Sequence, residues 1–303
     1  MSVYVGLDEG IVIDSDQGLQ FPLLVMYPTF TPAQETKFGA FTLDVAVKAA
    51  VKEGTYPLVV ISHGSGGSHL LYRTLAAFLA KNGFFVVLPE HPFNNRNNND
   101  RNGTLENLID RPRHIRQAID TVIADARWSR FLQPDHIALI GHSMGGYTAL
   151  ALAGGVPHTK HQIEHDPQCT ITTSQEIPVA ADPRVKALVL FAPAAGWFLS
   201  EAALEAVKVP VLLFSAEMDT LTPLIHAEII KRGVGEKALV THKIVKNAGH
   251  YSFLSPFPAA MRRAIFPPSM DPEGFDRETF HSELNVDVLA FLTKWMLQKS
   301  PGM

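Results

Sequence analysis

Apolar positions along this chain follow two periods. Leu58 to Ile61, Phe84 to Leu88, His136 to Ile140, Val185 to Phe191 and Val209 to Ser215 are short, nearly unbroken apolar runs, as strands covered on both faces require. Leu239 to Val245 reads as one further strand. Helical spacing lies between these runs. Leu70 to Asn82 is amphipathic and stops at Gly83. Arg113 to Ala126 carries Ile115, Ile119, Val122 and Ile123 on one face, with Pro112 near its start. Thr222 to Arg232 and Asn285 to Leu297 are two more helices, and Glu201 to Ala206 a short one. Strand and helix alternate from residue 58 to the end. That order predicts an α/β fold: one mostly parallel sheet of about eight strands with helices on both faces.

The beginning of the chain reads differently. Ile11 to Ile13 and Phe21 to Tyr27 are expected strands, joined around Asp16-Gln17-Gly18 as a hairpin. Pro28 to Gly39 is an expected loop. Thr42 to Lys52 is an expected helix, with Leu43, Ala46, Val47, Ala50 and Val51 along one side. One polar stretch and a second irregular one lack any period and are too long for ordinary connections. They are expected to be lid-like insertions, 154–184 and 252–283, within one domain.

Composition narrows this picture. The net charge of −4 over 303 residues gives no reason to expect a nucleic-acid partner. No run of 18 apolar residues occurs, so no membrane span is expected. The single cysteine, Cys169, permits no intrachain disulfide. Met1 to Gly10 carries Asp8 and Glu9 and lacks the basic-then-apolar order of a secretion signal. The expectation is a cytoplasmic protein.

The candidate chemistry centres on Gly141-His142-Ser143-Met144-Gly145-Gly146. A buried strand precedes it, and the small, apolar run Tyr147 to Ala153 follows. Strand, sharp turn with a central serine, then helix is the context of a nucleophile elbow. A serine nucleophile needs a base and an acid to orient that base, lying in the order serine, acid, histidine at later strand ends. Asp219 follows the Val209–Ser215 run and His250 follows the Leu239–Val245 run. Glu217 stands after the same strand as Asp219. Asp219 is preferred because it lies in the turn beyond the strand, on a shorter side chain with fewer rotors to fix. The oxyanion needs two backbone donors. Met144 N–H, just past the nucleophile, is one. Ser65 N–H, in the glycine-rich turn Ser62-His63-Gly64-Ser65-Gly66-Gly67, is the other.

These stretches, with Ala248-Gly249-His250-Tyr251-Ser252-Phe253-Leu254, resemble the α/β-hydrolases. The likeness runs from about residue 20 to the C-terminus. It points to the serine-nucleophile group known as predicted dienelactone hydrolases, related to platelet-activating-factor acetylhydrolases. Gly274-Phe275-Asp276-Arg277 and His281 add to it. The resemblance implies the α/β-hydrolase fold, a Ser143–His250–Asp219 triad and hydrolysis of a small-molecule carboxylic ester without a cofactor. Animal acetylhydrolases carry their acid one strand earlier. Here that place reads Pro193-Ala194-Ala195-Gly196-Trp197, without an acid, which moves the role to Asp219.

Alternatives stay open at this point. The same triad serves amidases, lactonases and thioesterases. A protein of this fold that only binds is the rival from outside enzymology. His158, His161, His165 and Cys169 are residue types that bind zinc, but their spacing matches no standard finger and a solvated lid is preferred, so no metal site is assigned. Trp197, Phe198 and Phe253 are expected to wall the acyl site, which favours short acyl groups. Asn94 to Asn99, with Arg96 and Arg101, read as a solvated loop that could offer substrate donors at the mouth.

Overall fold

The computed structural model describes residues 1–160, 173–234 and 240–297. Among these, ten strands form one sheet. The first two make a long antiparallel hairpin, β1 (Tyr4–Asp14) and β2 (Leu19–Thr29). Asp14 closes its turn by accepting the Asp16 and Gln17 N–H groups, and Gly18 takes a left-handed φ of 62°. Then come β3 (Gln34–Phe38), β4 (Phe41–Val47), β5 (Tyr56–Ser62) and β6 (Phe85–Pro89). The sheet is completed by β7 (Leu132–His142), β8 (Val185–Phe191), β9 (Val211–Ala216) and β10 (Val240–Val245).

The spatial order is β10-β9-β8-β7-β5-β6-β2-β1-β4-β3. From β6 to β10 neighbouring strands are parallel. The chain leaves β5 to one side for β6, then returns to its other side for β7. That reversal opens a crevice at the carboxyl ends of β5 and β7, the place where such sheets hold ligands. It sets the turn after β5 beside the turn after β7.

Every residue of β5, β6 and β9 is buried, which explains their unbroken apolar runs. One face of the sheet is covered by α2 (Leu105–Ala124), α3 (Met144–Leu152) and α4 (Ile225–Gly233), through Ile115, Leu150 and Ile230 among others. The opposite face is covered by α1 (Arg73–Lys81) and α5 (Arg277–Leu292), through Leu75, Leu79, Val288 and Leu292.

Five expectations need correction. Thr42–Lys52 is not a helix. Phe41, Leu43 and Val45 are buried while Thr42 and Asp44 are exposed, a period of two, and β4 pairs with both β1 and β3. The apolar matches at helical spacing were incidental to that alternation. The expected loop 28–39 accordingly holds β3, so the sheet has ten strands rather than about eight. The helix expected from Arg113 starts at Leu105, capped by Thr104, whose hydroxyl accepts the Asn107 N–H at 3.2 Å. Pro112 therefore lies inside α2. It cannot donate to Leu108 O, and the Tyr147 hydroxyl does so instead at 3.0 Å. The closing helix also begins early, at Arg277, where Asp276 accepts the Glu278 and Thr279 N–H groups. Glu201–Ala206 forms turns rather than a helix, and a single 3₁₀ turn sits at Gly196–Phe198.

Candidate active site

Ser143 stands between β7 and α3 with φ 54° and ψ −119°, a conformation that costs a non-glycine residue on the order of 1–3 kcal/mol. Its neighbours make the turn possible. A Cβ on Gly141 would meet Gly145 O at 2.2 Å, and one on Gly145 would meet Ser62 O at 1.9 Å. Ser143 O is fixed by the Gly146 and Ala194 N–H groups, at 2.8 and 2.9 Å. Met144 is the first residue of α3, so its N–H is one of the donors a helix start leaves unpaired within the helix.

Asp219 and His250 meet across the turns after β9 and β10. His250 Nδ1 and Asp219 Oδ2 are 2.7 Å apart. Both residues are buried. The Leu221 and Thr222 N–H groups donate to Asp219 Oδ1 at 2.8 and 2.9 Å. The Thr222 hydroxyl lies 2.8 Å from Asp219 Oδ2, 2.9 Å from Ala192 O and 3.1 Å from His250 Nδ1. Burial alone would raise the Asp219 pKa. The His250 hydrogen bond and charge, with the Thr222 donors, outweigh it and hold the carboxyl at about 2. Glu217 is exposed and accepts the Asn247 N–H, away from His250.

His142, beside Ser143, was singled out only as part of the motif. Its Nε2 is 2.9 Å from His250 O and its Nδ1 is 3.0 Å from the Tyr72 hydroxyl. A carbonyl only accepts, so the proton sits on Nε2 and Tyr72 donates to Nδ1. Burial, then the neighbouring His250, push its pKa down to about 3 and keep the ring neutral. His142 thus ties the serine turn to the backbone of His250. A buried aromatic–histidine contact across 70 residues of chain leaves no trace in a local motif.

Ser143, His250 and Ser65 line one pocket of about 650 Å³. Its other wall comes from the segment after β10, with Tyr251, Leu254, Phe257, Met261 and Phe266. Among the described residues no carboxylate lines it, and the exposed Arg96 stands at its rim. Trp197, Phe198 and Phe253 do not line it. Trp197 and Phe198 pack on Tyr147, and Phe253 stacks on Phe191 within the core. They sit past strand ends, as expected, but face into the sheet's covering layers. Of the expected lid 154–184, no described residue lines the pocket. His161, His165 and Cys169 lie outside the described residues, and His158 Nδ1 accepts the Lys160 N–H.

A second serine–histidine pair lies deeper. The Ser62 hydroxyl is 2.9 Å from His91 Nε2, but both residues are buried and neither lines the pocket. They belong to a polar cluster under the turn after β5. Arg111, fully buried, donates to Thr148 Oγ1 at 3.1 Å, to Ser62 Oγ at 3.3 Å, and to Asn94 Oδ1 and His63 O. Asn94 also donates to Ser65 Oγ at 2.8 Å, so part of the asparagine run braces this turn rather than greeting substrate. Arg101 is likewise turned away, onto Asp110.

The comparisons with known proteins agree with this topology. A family model described as the alpha/beta hydrolase fold matches residues 57–161, which run from β5 through the serine turn and beyond α3. Cutinase est1 of Thermobifida alba is 24% identical over 204 residues, covering 66% of this chain and 55% of that protein. Cutinase 2 of Thermobifida cellulosilytica is 27% identical over 176 residues, covering 57% of this chain and 52% of that protein. The chain thus spans about half the length of the curated relatives it matches. The structure of a ferulic acid esterase from Streptomyces cinnamoneus superposes with a TM-score of 0.68 at 16% identity, covering 98% of this chain and 92% of that one. The chain has the α/β-hydrolase fold. No helix among the described residues is long and apolar enough to cross a membrane.

Proposed function

We propose that this protein is a serine hydrolase of carboxylic esters. Ser143 is its nucleophile, His250 its general base and Asp219 the acid that orients that base. The observation that carries the reading is the 2.7 Å contact of Asp219 with His250 at the edge of the pocket that Ser143 lines. Its Nδ1 held by Asp219, His250 offers Nε2 to the serine hydroxyl, which turns onto it as the ester binds. Attack on the ester carbonyl gives a tetrahedral oxyanion, received by the N–H groups of Met144 and Ser65. His250 then protonates the departing alcohol, leaving an acyl-enzyme, and activates the water that releases the acid. No step calls for a cofactor.

Two further supports come from the comparisons: the curated relatives are named cutinases and the solved neighbour an esterase. Within the superfamily we place the chain near the serine-nucleophile dienelactone-hydrolase-like and acetylhydrolase-like group, on the motifs around Gly64, Ser143 and His250. A compact acyl group fits a pocket of about 650 Å³ bounded by Leu254, Phe257 and Phe266. The lone cysteine suits a reducing compartment, and we place the protein in the cytoplasm.

A panel of nitrophenyl esters of rising acyl length, with matched amides, lactones and thioesters, tests this reading. kcat/KM should be highest on short-acyl esters and fall with length. A preference for another linkage, or a maximum at long chains, overturns the substrate class.

A further inference from the structure

We propose that His63 is a positioning residue for the oxyanion site: its imidazole, locked as the Nδ1–H tautomer, clamps the Gly64 carbonyl and so aims and polarises the N–H of Ser65. This rests on the reading of Ser65 N–H as an oxyanion donor.

The tautomer follows from partners. The backbone N–H of His91 lies 3.0 Å from His63 Nε2. An amide N–H only donates, so Nε2 carries the lone pair and the proton sits on Nδ1. That Nδ1 is 2.7 Å from Gly64 O. The Gly67 N–H donates to the same oxygen at 3.1 Å, so both its lone pairs are engaged. Gly64 C=O and Ser65 N–H belong to one trans peptide, in which the two bonds point in opposite directions. Fixing the oxygen on the His63 side therefore fixes the direction of the Ser65 N–H. Two donors on the carbonyl also draw electron density from the amide, and a buried hydrogen-bonded chain strengthens its last donor. The turn lies against the nucleophile: a Cβ on Gly64 would stand 3.2 Å from Ser143 Cβ.

The ring is kept neutral by its surroundings. Burial, then the Arg111 charge, push its pKa down to about 3, against the opposing pull of the Gly64 hydrogen bond and Glu90. The His91 ring packs edge-on at 4.9 Å, and His69, paired with Glu90, is the remaining titratable group in reach. Arg111 completes the scaffold. It donates to His63 O and, through Thr148, which gives its proton to Met144 O at 2.9 Å, it joins the β5 turn to the first turn of α3. One buried network thus links the turn of Ser65 to the first turn of α3, where Met144 lies.

The test uses His63→Leu, which removes the donor, and His63→Asn, whose amide Nδ2 occupies nearly the place of Nδ1. An oxyanion interaction acts in the transition state and not on the planar ester. Removing one oxyanion donor outright costs about 10²–10³ in kcat, so misaiming one should cost about 10–100-fold. His63→Leu should lower kcat by that factor with KM changed less than about twofold, and weaken a trifluoromethyl ketone, which forms an anionic tetrahedral adduct, in parallel. His63→Asn should restore most of both. Equal losses in both variants, or a loss in KM with ketone affinity intact, overturn the proposal. Should His63→Leu not fold, the wild-type protein still decides. Nitrogen NMR of its histidines, with His63 assigned by its absence in His63→Asn, should show a protonated Nδ1 and a bare Nε2 down to about pH 4. The other tautomer overturns the proposal. If the wild-type protein turns over no ester at all, it is the proposed function that fails.

Discussion

The two sides of the pocket floor are built on opposite electrostatic plans. The base side, after β9 and β10, is organised around an anion. Asp219 gathers the N–H groups of Leu221 and Thr222, the Thr222 hydroxyl and the His250 ring within 2.7 to 2.9 Å. The oxyanion side, after β5, is organised around a cation and neutral rings. Arg111 makes four hydrogen bonds to neutral oxygens, and His63, His91 and His114 are buried beside it. The arrangement matches the charges the proposed reaction develops. A carboxylate stabilises imidazolium where the proton goes, and a buried positive field faces the oxygen where negative charge appears.

The largest effect should come from the anionic side. Asp219→Asn should lower kcat by about 10⁴ with little change in folding, as for the buried acid of a serine triad, whereas Glu217→Gln should cost less than about threefold. Steady-state kinetics on both variants decide it. Loss in Glu217→Gln with turnover kept in Asp219→Asn would reverse the assignment of the acid.

Acid should act next, through buried histidines on both sides of the floor. Burial, then neighbouring charges, lower the pKa of His63, His114 and His142 to about 3, push that of His91 well below the ordinary imidazole value, and lower that of His281 to about 4. Unfolded, each titrates near 6.5. Between these values the unfolded chain binds protons that the fold refuses, so stability is lost as pH falls from about 6.5 toward 3. Asp219, depressed when folded, adds a loss in the same direction only between about 4 and 2. Thermal unfolding at pH 5 should take up about five protons through these histidines, and Tm should drop steadily from pH 6.5 to 4. A flat Tm over that range would show that the histidines are not buried neutral.

The smallest effect sits at the rim. With no carboxylate lining the pocket among the described residues, Arg96 should favour esters whose leaving group is anionic. An exposed ion pair is worth about 0.2–1 kcal/mol, so Arg96→Gln should cut the anionic-to-neutral ratio of kcat/KM by up to about fivefold. An unchanged ratio would remove Arg96 from recognition.

The same contrast explains what the sequence made legible. On the base side the proposed chemistry resides in residue types at strand ends, so the order of runs alone singled out Asp219 and His250, which the fold sets 2.7 Å apart. The parallel strands were visible for a related reason: burial on both faces writes itself as Val, Ile and Leu. On the oxyanion side the proposed working groups are backbone N–H bonds. Their supports, His63, Asn94, Arg111 and Thr148, are scattered over 85 residues and meet only in the fold. Asn94 read as part of a solvated loop, and Arg111 fell just outside the expected helix. β4 was missed because Leu43, Ala46, Val47, Ala50 and Val51 fit a helix by spacing, while its pairing with β1 and β3 was decided elsewhere. Trp197, Phe198 and Phe253 were misplaced because position past a strand end does not reveal which way a ring turns.

The central claim is that Ser143, and not the buried Ser62, is the nucleophile. Treatment with a fluorophosphonate, followed by intact-mass and peptide mass spectrometry, tests it directly. A single adduct is predicted on the peptide holding Ser143, absent in Ser143→Ala and slowed in His250→Ala. An adduct on Ser62 or any other serine, or ester turnover undiminished in Ser143→Ala, would contradict it.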